Sequence, residues 1–275
     1  MDKIKLMAFD LDGTLLTTDK RLSERNEKAL YAAAEKGILI VPSTGRYYGT
    51  IPEIIRNLEC VRYCLTINGA YVLDRKTDEC MYRADMSVET ALQIMRYLDT
   101  LPVCYDCYLD NKGWMTKELQ DKACLYADGF YLETLRSWRT PVPDIKEFIK
   151  EQQKPVQKIQ FFMRDLEAKE RAAEELRRMF PNTAVSSSVR NNVEINDAHA
   201  NKGEALLSLA KKLGIKREEI MAFGDGGNDF DMIRAAGVGV VMENGRDDLK
   251  KLADIIAPHC DEDGVAQVIE KVLAE

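Results

Sequence analysis

Two short apolar runs, each ending in a carboxylate-bearing turn, constrain this chain more than any other feature. Leu6-Met7-Ala8-Phe9 leads into Asp10-Leu11-Asp12-Gly13-Thr14, and Ile220-Met221-Ala222-Phe223 leads into Gly224-Asp225-Gly226-Gly227-Asn228-Asp229. Unbroken apolar runs of this length suit strands buried on both faces, as in a parallel sheet covered by helices. Residues i and i+2 of a strand share a face, so Asp10 and Asp12 project together into the turn made by Gly13. Two carboxylates so close repel unless a cation lies between them. Glycines let backbone N–H groups approach an anion, and carboxylates suit a hard cation such as Mg2+. Open α/β sheets gather ligands outside the carboxyl ends of their strands, where both acidic turns would meet. Either turn alone would pass for a hydrophilic loop.

Two further segments fit the same edge. Ile38-Leu39-Ile40-Val41 ends in Pro42-Ser43-Thr44-Gly45-Arg46, which offers a hydroxyl, an exposed amide and a guanidinium fork for phosphate oxygens. Asn201-Lys202-Gly203 precedes a helical stretch from Glu204 to Leu213, placing Lys202 near a helix N-terminus, a position suited to anions. Alone, Lys202 reads as a solvated lysine and Arg46 is ambiguous.

The first part of the chain alternates strand and helix. Strands are expected at 4–9, 38–41 and 63–67, a helix after Ser23 as N-cap with Gly37 as its stop, and another over Thr50–Leu58. From Gly203 the alternation resumes, with strands at 220–223, 238–242 and 254–257 and helices at 229–236, 246–252 and 264–273. This pattern predicts an α/β fold: a Rossmann-like, doubly wound, mainly parallel sheet. Residues 84–189 differ, holding both tryptophans, five of the eleven tyrosines and the Pro-rich Thr140-Pro141-Val142-Pro143. They read as an inserted second domain of α+β type, leaving 1–83 plus 190–275 as the core. Within it, Gln157–Met163 reads as a strand, and Asp165 caps a helix running to Met179. Tyr105, Tyr108, Trp114, Tyr126, Phe130, Tyr131 and Trp138 serve either that domain's core or stacking on a ring.

In the order in which they occur, these motifs resemble those of the haloacid dehalogenase superfamily of phosphatases, in its Cof-type branch. Asp10-Leu11-Asp12-Gly13-Thr14 matches the first motif and Ser43-Thr44-Gly45-Arg46 the second. Asn68-Gly69-Ala70 matches the branch's NGA turn, Lys202-Gly203 the third motif, and Gly224–Asp229 the fourth. The resemblance runs along nearly the whole chain, to Glu262-Asp263-Gly264-Val265-Ala266. It departs at Pro42-Ser43, where the branch often has alanine, and at Gly227, where it often has glutamate. It implies a cap of the C2 type, IIB subtype, that chooses the substrate.

The resemblance also implies a chemistry. Asp10 would attack phosphorus and form an aspartyl-phosphate, and Asp12 would serve as acid and then as base. Mg2+ would be held by Asp10, Asp12 through its backbone carbonyl, and Asp225, with Asp229 standing behind them. Lys202 would offset charge, and Leu11, Thr44, Gly45, Arg46, Asn68 and Asn228 would line the phosphate. The implied substrate is a small-molecule phosphate monoester, a sugar phosphate or a phosphorylated cofactor. The alternatives are a phosphosugar mutase or phosphotransferase, and a phosphate-ligand sensor without catalysis. Asp12 separates the hydrolase from the family's ATPases, which carry another residue there.

Composition narrows the partners. The net charge is −7 with no long basic block, which argues against nucleic acid. No apolar stretch is long enough for a membrane span, and no basic-then-apolar leader follows Met1-Asp2-Lys3. Seven scattered cysteines fit cytosolic free thiols, and Cys104-x-x-Cys107 lacks a second pair or a nearby histidine, His199 and His259 both lying far off. A cytoplasmic monomer or weak dimer is expected.

Overall fold

Strand Leu6–Phe9 occupies an inner position of a five-stranded sheet in which every pairing is parallel. The order is Ile255–Ala257, Val238–Met242, Ile220–Gly224, Leu6–Phe9, Leu39–Pro42. The computed structural model describes residues 4–274. Met1-Asp2-Lys3 and the Phe130 side chain, both invoked above, lie outside the described residues. Two units, each with its own sheet and core, make up the chain. One comprises the residues through Arg46, Ile51–Arg83 and the residues from Asn201; the other comprises Tyr47–Thr50 and Ala84–Ala200.

In the first unit, apolar runs become strands because helices bury both faces of the sheet. Leu6, Ala8, Val41, Ile220, Ala222 and Val241 pack with Leu206 and Leu209 of helix Lys202–Lys212 and with Met232 of helix Phe230–Ala235. The register sets Phe9 level with Phe223 and with Pro42. The loops that follow these three strands therefore leave the sheet at one edge. Helix Glu24–Glu35 begins at Ser23, whose side chain accepts the Asn26 N–H, and stops before Gly37 at φ +81°. Buried Asn26 donates to the Leu15 carbonyl (3.2 Å) and accepts the Ala266 N–H (2.9 Å), tying this helix to the first acidic loop and to helix Gly264–Ala274.

Two expectations are corrected here. The stretch 50–58 holds one α-turn, Glu53–Arg56, after a 3-10 turn at Tyr48–Thr50. Pro52 is the reason, since it disfavours helix at the preceding Ile51. Strand Tyr63–Thr66 touches the parallel sheet through the parallel bridge Ser43–Leu65, with Ile40–Val61 just before it, but its ladder is antiparallel, with Tyr71–Asp74, which pairs in turn with Glu79–Arg83. The reversal is made at Asn68 and Gly69, which sit at φ +57° and +92°.

The second unit carries a six-stranded sheet in the order Thr183–Ser186, Asn192–Asp197, Lys158–Phe162, Cys104–Leu109, Lys112–Thr116, Arg139–Val142. All its pairings are antiparallel except the last. Tyr105, Cys107, Leu109, Ile159 and Phe161 pack with helices Val88–Leu98, Ile145–Gln152 and Leu166–Met179, the last capped by Asp165. The alternate positions are polar and buried: Asp106, Lys158, Gln160, Asn192, Glu194 and Asn196. The unit extends to Ala200, past the boundary expected at 189, because Asn192–Asp197 pairs with Lys158–Phe162. Tyr47 and Tyr48 join it through Tyr47 Oη to the Trp138 carbonyl (2.9 Å) and Tyr48 N–H to Asn111 Oδ1 (3.1 Å). Among the described residues, no helix is long and apolar enough to cross a membrane.

Candidate active site

Five loops of the first unit converge at the carboxyl edge of its sheet. Asp10 follows directly on strand Leu6–Phe9, and its N–H donates to the Phe223 carbonyl (2.9 Å). Gly13 then turns the chain at φ +95° and passes so close to the second acidic loop that a Cβ there would lie 2.6 Å from Asp225 Oδ2. Thr14 Oγ1 donates to Asp225 Oδ1 (2.7 Å), joining the two loops. Asp229 is fully buried, and its Oδ2 accepts the N–H groups of Asp225 (3.0 Å) and Gly226 (2.8 Å).

Lys202 is the hub. It opens helix Lys202–Lys212, capped by Asn201, and is wholly buried. Its Nζ donates to Asp10 Oδ1 (2.6 Å) and to Asp229 Oδ1 (2.7 Å). It is therefore no solvated lysine. Carboxylate oxygens of Asp10, Asp225 and Asp229 all lie within 4.8 Å of one another. Three hard oxygen donors this close, with one ammonium paired to two of them, fit a divalent cation.

Asp12 stands apart from this trio. Arg46 grips it as a fork, Nε to Oδ2 (2.8 Å) and Nη2 to Oδ1 (2.9 Å), and Lys20 Nζ adds an ion pair to Oδ1 (2.9 Å). The sequence reading gave Arg46 to phosphate; in the structure its Nε and Nη2 are engaged by a carboxylate. Thr44 is buried beside it, and its Oγ1 accepts the Arg46 N–H (3.2 Å). Asn68 is also buried; its N–H donates to the Thr44 carbonyl (3.0 Å), and its Oδ1 accepts from Asn228 Nδ2 (3.0 Å). A Cβ on Gly45 would lie 2.7 Å from Asn68 Oδ1, so glycine permits this approach.

The electrostatics follow from the burial. Burial pushes the Asp10 carboxyl well above its ordinary value; Lys202 pulls it back, and Asp229, Asp225 and Asp12 raise it further. Burial, then Asp229, raises Asp225 to about 6. Burial alone would raise Asp12, but the hydrogen bonds and charge of Arg46, with Lys20 beside them, outweigh it and hold Asp12 below its ordinary value. Burial alone would lower Lys202, but Asp10 and Asp229 outweigh it and raise it.

Asp10, Leu11, Asp12, Thr44, Gly45, Arg46, Asn68, Lys202, Asp225, Asn228 and Asp229 thus all belong to this unit. Sequence reasoning missed Lys20 and also Asn244, whose Nδ2 donates to the Gly13 carbonyl (2.7 Å). Neither carries a signal: Lys20 is one of 39 basic residues and lies in a polar loop. Cys104 and Cys107 point to opposite faces of their strand, into separate apolar clusters, and both are free thiols. His199 is exposed and closes a turn, its N–H donating to Asp197 Oδ1 (2.9 Å). Several insert aromatics serve that unit's own packing, as in Trp114 against Phe148 (4.4 Å between ring centroids) and Tyr131 against Phe162 (5.9 Å).

Known proteins place this arrangement. Residues 7–269 match the family of haloacid dehalogenase-like hydrolases. The 5-amino-6-(5-phospho-D-ribitylamino)uracil phosphatase YcsE of Bacillus subtilis (strain 168) is 33% identical over 270 residues, covering 97% of this chain and 94% of that protein. An HMP-PP phosphatase of Serratia proteamaculans (strain 568) is 29% identical over 273 residues, covering 97% of this chain and 94% of that protein. Among solved structures, a haloacid dehalogenase-like hydrolase from Bacteroides thetaiotaomicron matches with a TM-score of 0.84 at 29% identity, over 98% of this chain and 100% of that one. The chain belongs to the haloacid dehalogenase-like hydrolase family, and it is a phosphatase of the Cof-type branch.

Proposed function

We propose that this phosphatase hydrolyses monoesters of small metabolites through an aspartyl-phosphate formed on Asp10. The observation that carries the reading is the buried Lys202 ammonium shared by Asp10 and Asp229, with Asp225 beside them. That contact fixes the Asp10 carboxylate by one oxygen, and in this reading the other is the nucleophile. Carboxylate nucleophiles divide one hard displacement into two easier ones. Asp12 protonates the departing oxygen in the first step and deprotonates water in the second. Thr44, Gly45, Asn228 and the Leu11 amide supply donors to the phosphoryl oxygens, with Asn68 holding Asn228 in place.

Mg2+, bound by Asp10, the Asp12 backbone carbonyl and Asp225 with Asp229 behind them, would supply the positive charge that draws the phosphate dianion to this acidic edge. The donor set supports that choice, since it offers oxygen and neither sulfur nor imidazole.

The substrate class is a sugar phosphate or a phosphorylated cofactor or its precursor. The names of the relatives support it, being those of phosphatases for a ribityl phosphate and for HMP-PP. A net charge of −7 favours a small substrate over a nucleic acid. We assign the choice of leaving group to the inserted unit, and the place of work to the cytoplasm as a monomer or weak dimer.

Asp10→Asn tests the reading. It is expected to fold and to lose phosphate release from p-nitrophenyl phosphate with Mg2+, while wild type yields acid-stable radiolabel on Asp10 after quenching. Turnover by the variant within tenfold of wild type would exclude the nucleophile. Undiminished activity of metal-free protein in EDTA would exclude the cation.

A further inference from the structure

We propose that Asn244 is a positioning residue for the cation: by holding the Gly13 carbonyl it fixes the peptide plane that presents the Asp12 carbonyl. The proposal rests on the reading of Asp10, the Asp12 backbone carbonyl and Asp225 as the donors to Mg2+.

Asn244 lies in the loop that follows strand Val238–Met242, beside the two acidic loops. Strands Val238–Met242, Ile220–Gly224 and Leu6–Phe9 are consecutive neighbours and run parallel, so their loops leave the sheet side by side at one edge. Hydrogen bonds join these three loops pairwise. Thr14 Oγ1 to Asp225 Oδ1 (2.7 Å) joins the two acidic loops. The Arg246 N–H to the Asp225 carbonyl (3.0 Å) joins the third loop to the second acidic one. Asn244 Nδ2 to the Gly13 carbonyl (2.7 Å) joins the third loop to the first acidic one and closes the triangle.

Both ends of the Asn244 amide are engaged. Its Oδ1 accepts the Cys260 N–H (3.0 Å), at the start of the turn in which Asp261 accepts the Thr18 N–H and Oγ1 (2.8 and 2.9 Å). The amide is therefore anchored on a segment that is itself tied to the chain just beyond the first acidic loop. One partner is an acceptor and the other a donor, which a carboxamide matches. A carboxylate has no donor for the Gly13 carbonyl.

Gly13 is the reason the bond matters. Its φ of +95° and the approach of Asp225 Oδ2, 2.6 Å from where a Cβ would stand, require glycine. Glycine brings backbone freedom with it. The Asp12 carbonyl belongs to the peptide plane before Gly13 and the Gly13 carbonyl to the plane after it. Only the φ and ψ of Gly13 separate the two planes. The start of the loop is held by the Asp10 N–H on the Phe223 carbonyl (2.9 Å). Holding the Gly13 carbonyl at the other end leaves the plane between with little room to turn. Mg2+ demands near-octahedral donors at short range, whereas Ca2+ accepts a variable number of donors in flexible geometry. Freeing this plane therefore penalises Mg2+ more than Ca2+.

The test is thermal unfolding of full-length protein in rising MgCl2 and, separately, CaCl2, with each dissociation constant read from the rise in midpoint with cation concentration. Asn244→Ala is expected to weaken Mg2+ binding about tenfold. Its Ca2+ binding should weaken no more than about threefold. In saturating Mg2+, kcat on p-nitrophenyl phosphate should return to within about threefold of wild type, since no group that touches substrate is lost. Thr18→Val is the control for general loosening. It removes the Oγ1 bond to Asp261 and leaves the Gly13 contact intact, so it should lower the metal-free midpoint while Mg2+ affinity stays within about twofold. Mg2+ affinity unchanged in Asn244→Ala, weakened equally for both cations, or weakened as much in Thr18→Val, would overturn the proposal. Asn244 is exposed, and if Asn244→Ala fails to fold, Asn244→Ser, too short to span both partners, carries the same comparison with the same refuting results. A wild-type midpoint that ignores both cations would remove the cation reading itself and the proposal with it, while the Asp10 assignment stands or falls by its own labelling experiment.

Discussion

Replacing Lys202 by methionine removes one ammonium and leaves three acids facing one another in a buried space. Methionine matches the length of the apolar stem, so the loss is electrostatic. Lys202 lies 2.6 Å from Asp10 and 2.7 Å from Asp229, with no exposed surface. At an effective dielectric constant of ~20, each such pair is worth on the order of 4 kcal/mol. The ammonium's own desolvation opposes this by several kcal/mol. Removing one partner from a buried ion pair costs about 3–5 kcal/mol, because the carboxylates that remain are uncompensated. Against a typical stability of ~5–15 kcal/mol, that is a large fraction. Urea unfolding in EDTA, followed by far-UV circular dichroism, measures it. Both tryptophans, Trp114 and Trp138, belong to the second unit, so fluorescence reports the other half of the chain and serves as an internal control. Adding Asp229→Asn to Lys202→Met removes one orphaned charge and is expected to recover about 1–3 kcal/mol, a coupling that a double-mutant cycle isolates. A loss under ~1 kcal/mol for Lys202→Met, or strict additivity in the double variant, would refute the account of Lys202 as the charge that permits this acidic cluster.

Two further outcomes follow from the same geometry. Without metal, Asp225 ionises near 6 in the folded chain against 3.8 ordinarily, so between these values the folded state binds more protons than the unfolded. Stability is then expected to fall as pH rises through that window, by up to ~3 kcal/mol, and Mg2+ should raise the thermal midpoint more at pH 7.5 than at pH 5; an equal cation effect at both would contradict it. Asp10 acts in the same direction, while Asp12, whose value is lowered, gives stability lost only at more acid pH. Gly69→Ala forces a side chain onto φ +92° and within 2.4 Å of the Asn201 carbonyl, and is expected to cost about 2–4 kcal/mol in urea unfolding. Gly227→Ala, with open space around it, should stay within ~0.5 kcal/mol, and similar losses at the two positions would refute the steric argument.

How much of this was written in the sequence differs from element to element. The parallel core was legible because unbroken apolar runs such as Leu6–Phe9 and Ile220–Phe223 have few other uses than strands buried on both faces. The helix after Ser23 and the helix after Asp165 were legible from their caps, which act within three residues of the chain. The antiparallel extension at Tyr71–Arg83 was not, because it depends on Asn68 and Gly69 adopting left-handed backbone, a choice settled by what packs around them. The end of the insertion was misplaced because strand Asn192–Asp197 is defined by a partner some thirty residues away, and no local pattern announces that pairing.

The candidate site divides the same way. Sequence by itself determined which chemical groups are present and that the acidic loops follow strands, since residue type and local periodicity carry that information. Tertiary structure alone decided which cation meets which acid. Lys202 is separated from Asp10 by 192 positions, yet they are in contact, and Arg46 turns to Asp12 across 34 positions. Such pairings depend on strand register and on the direction each loop takes on leaving the sheet, both set by packing over the whole unit. The physical reason is range: propensity and capping act over a few residues, whereas the electrostatics of a buried site are fixed by whatever chain segments the fold brings within a few ångströms.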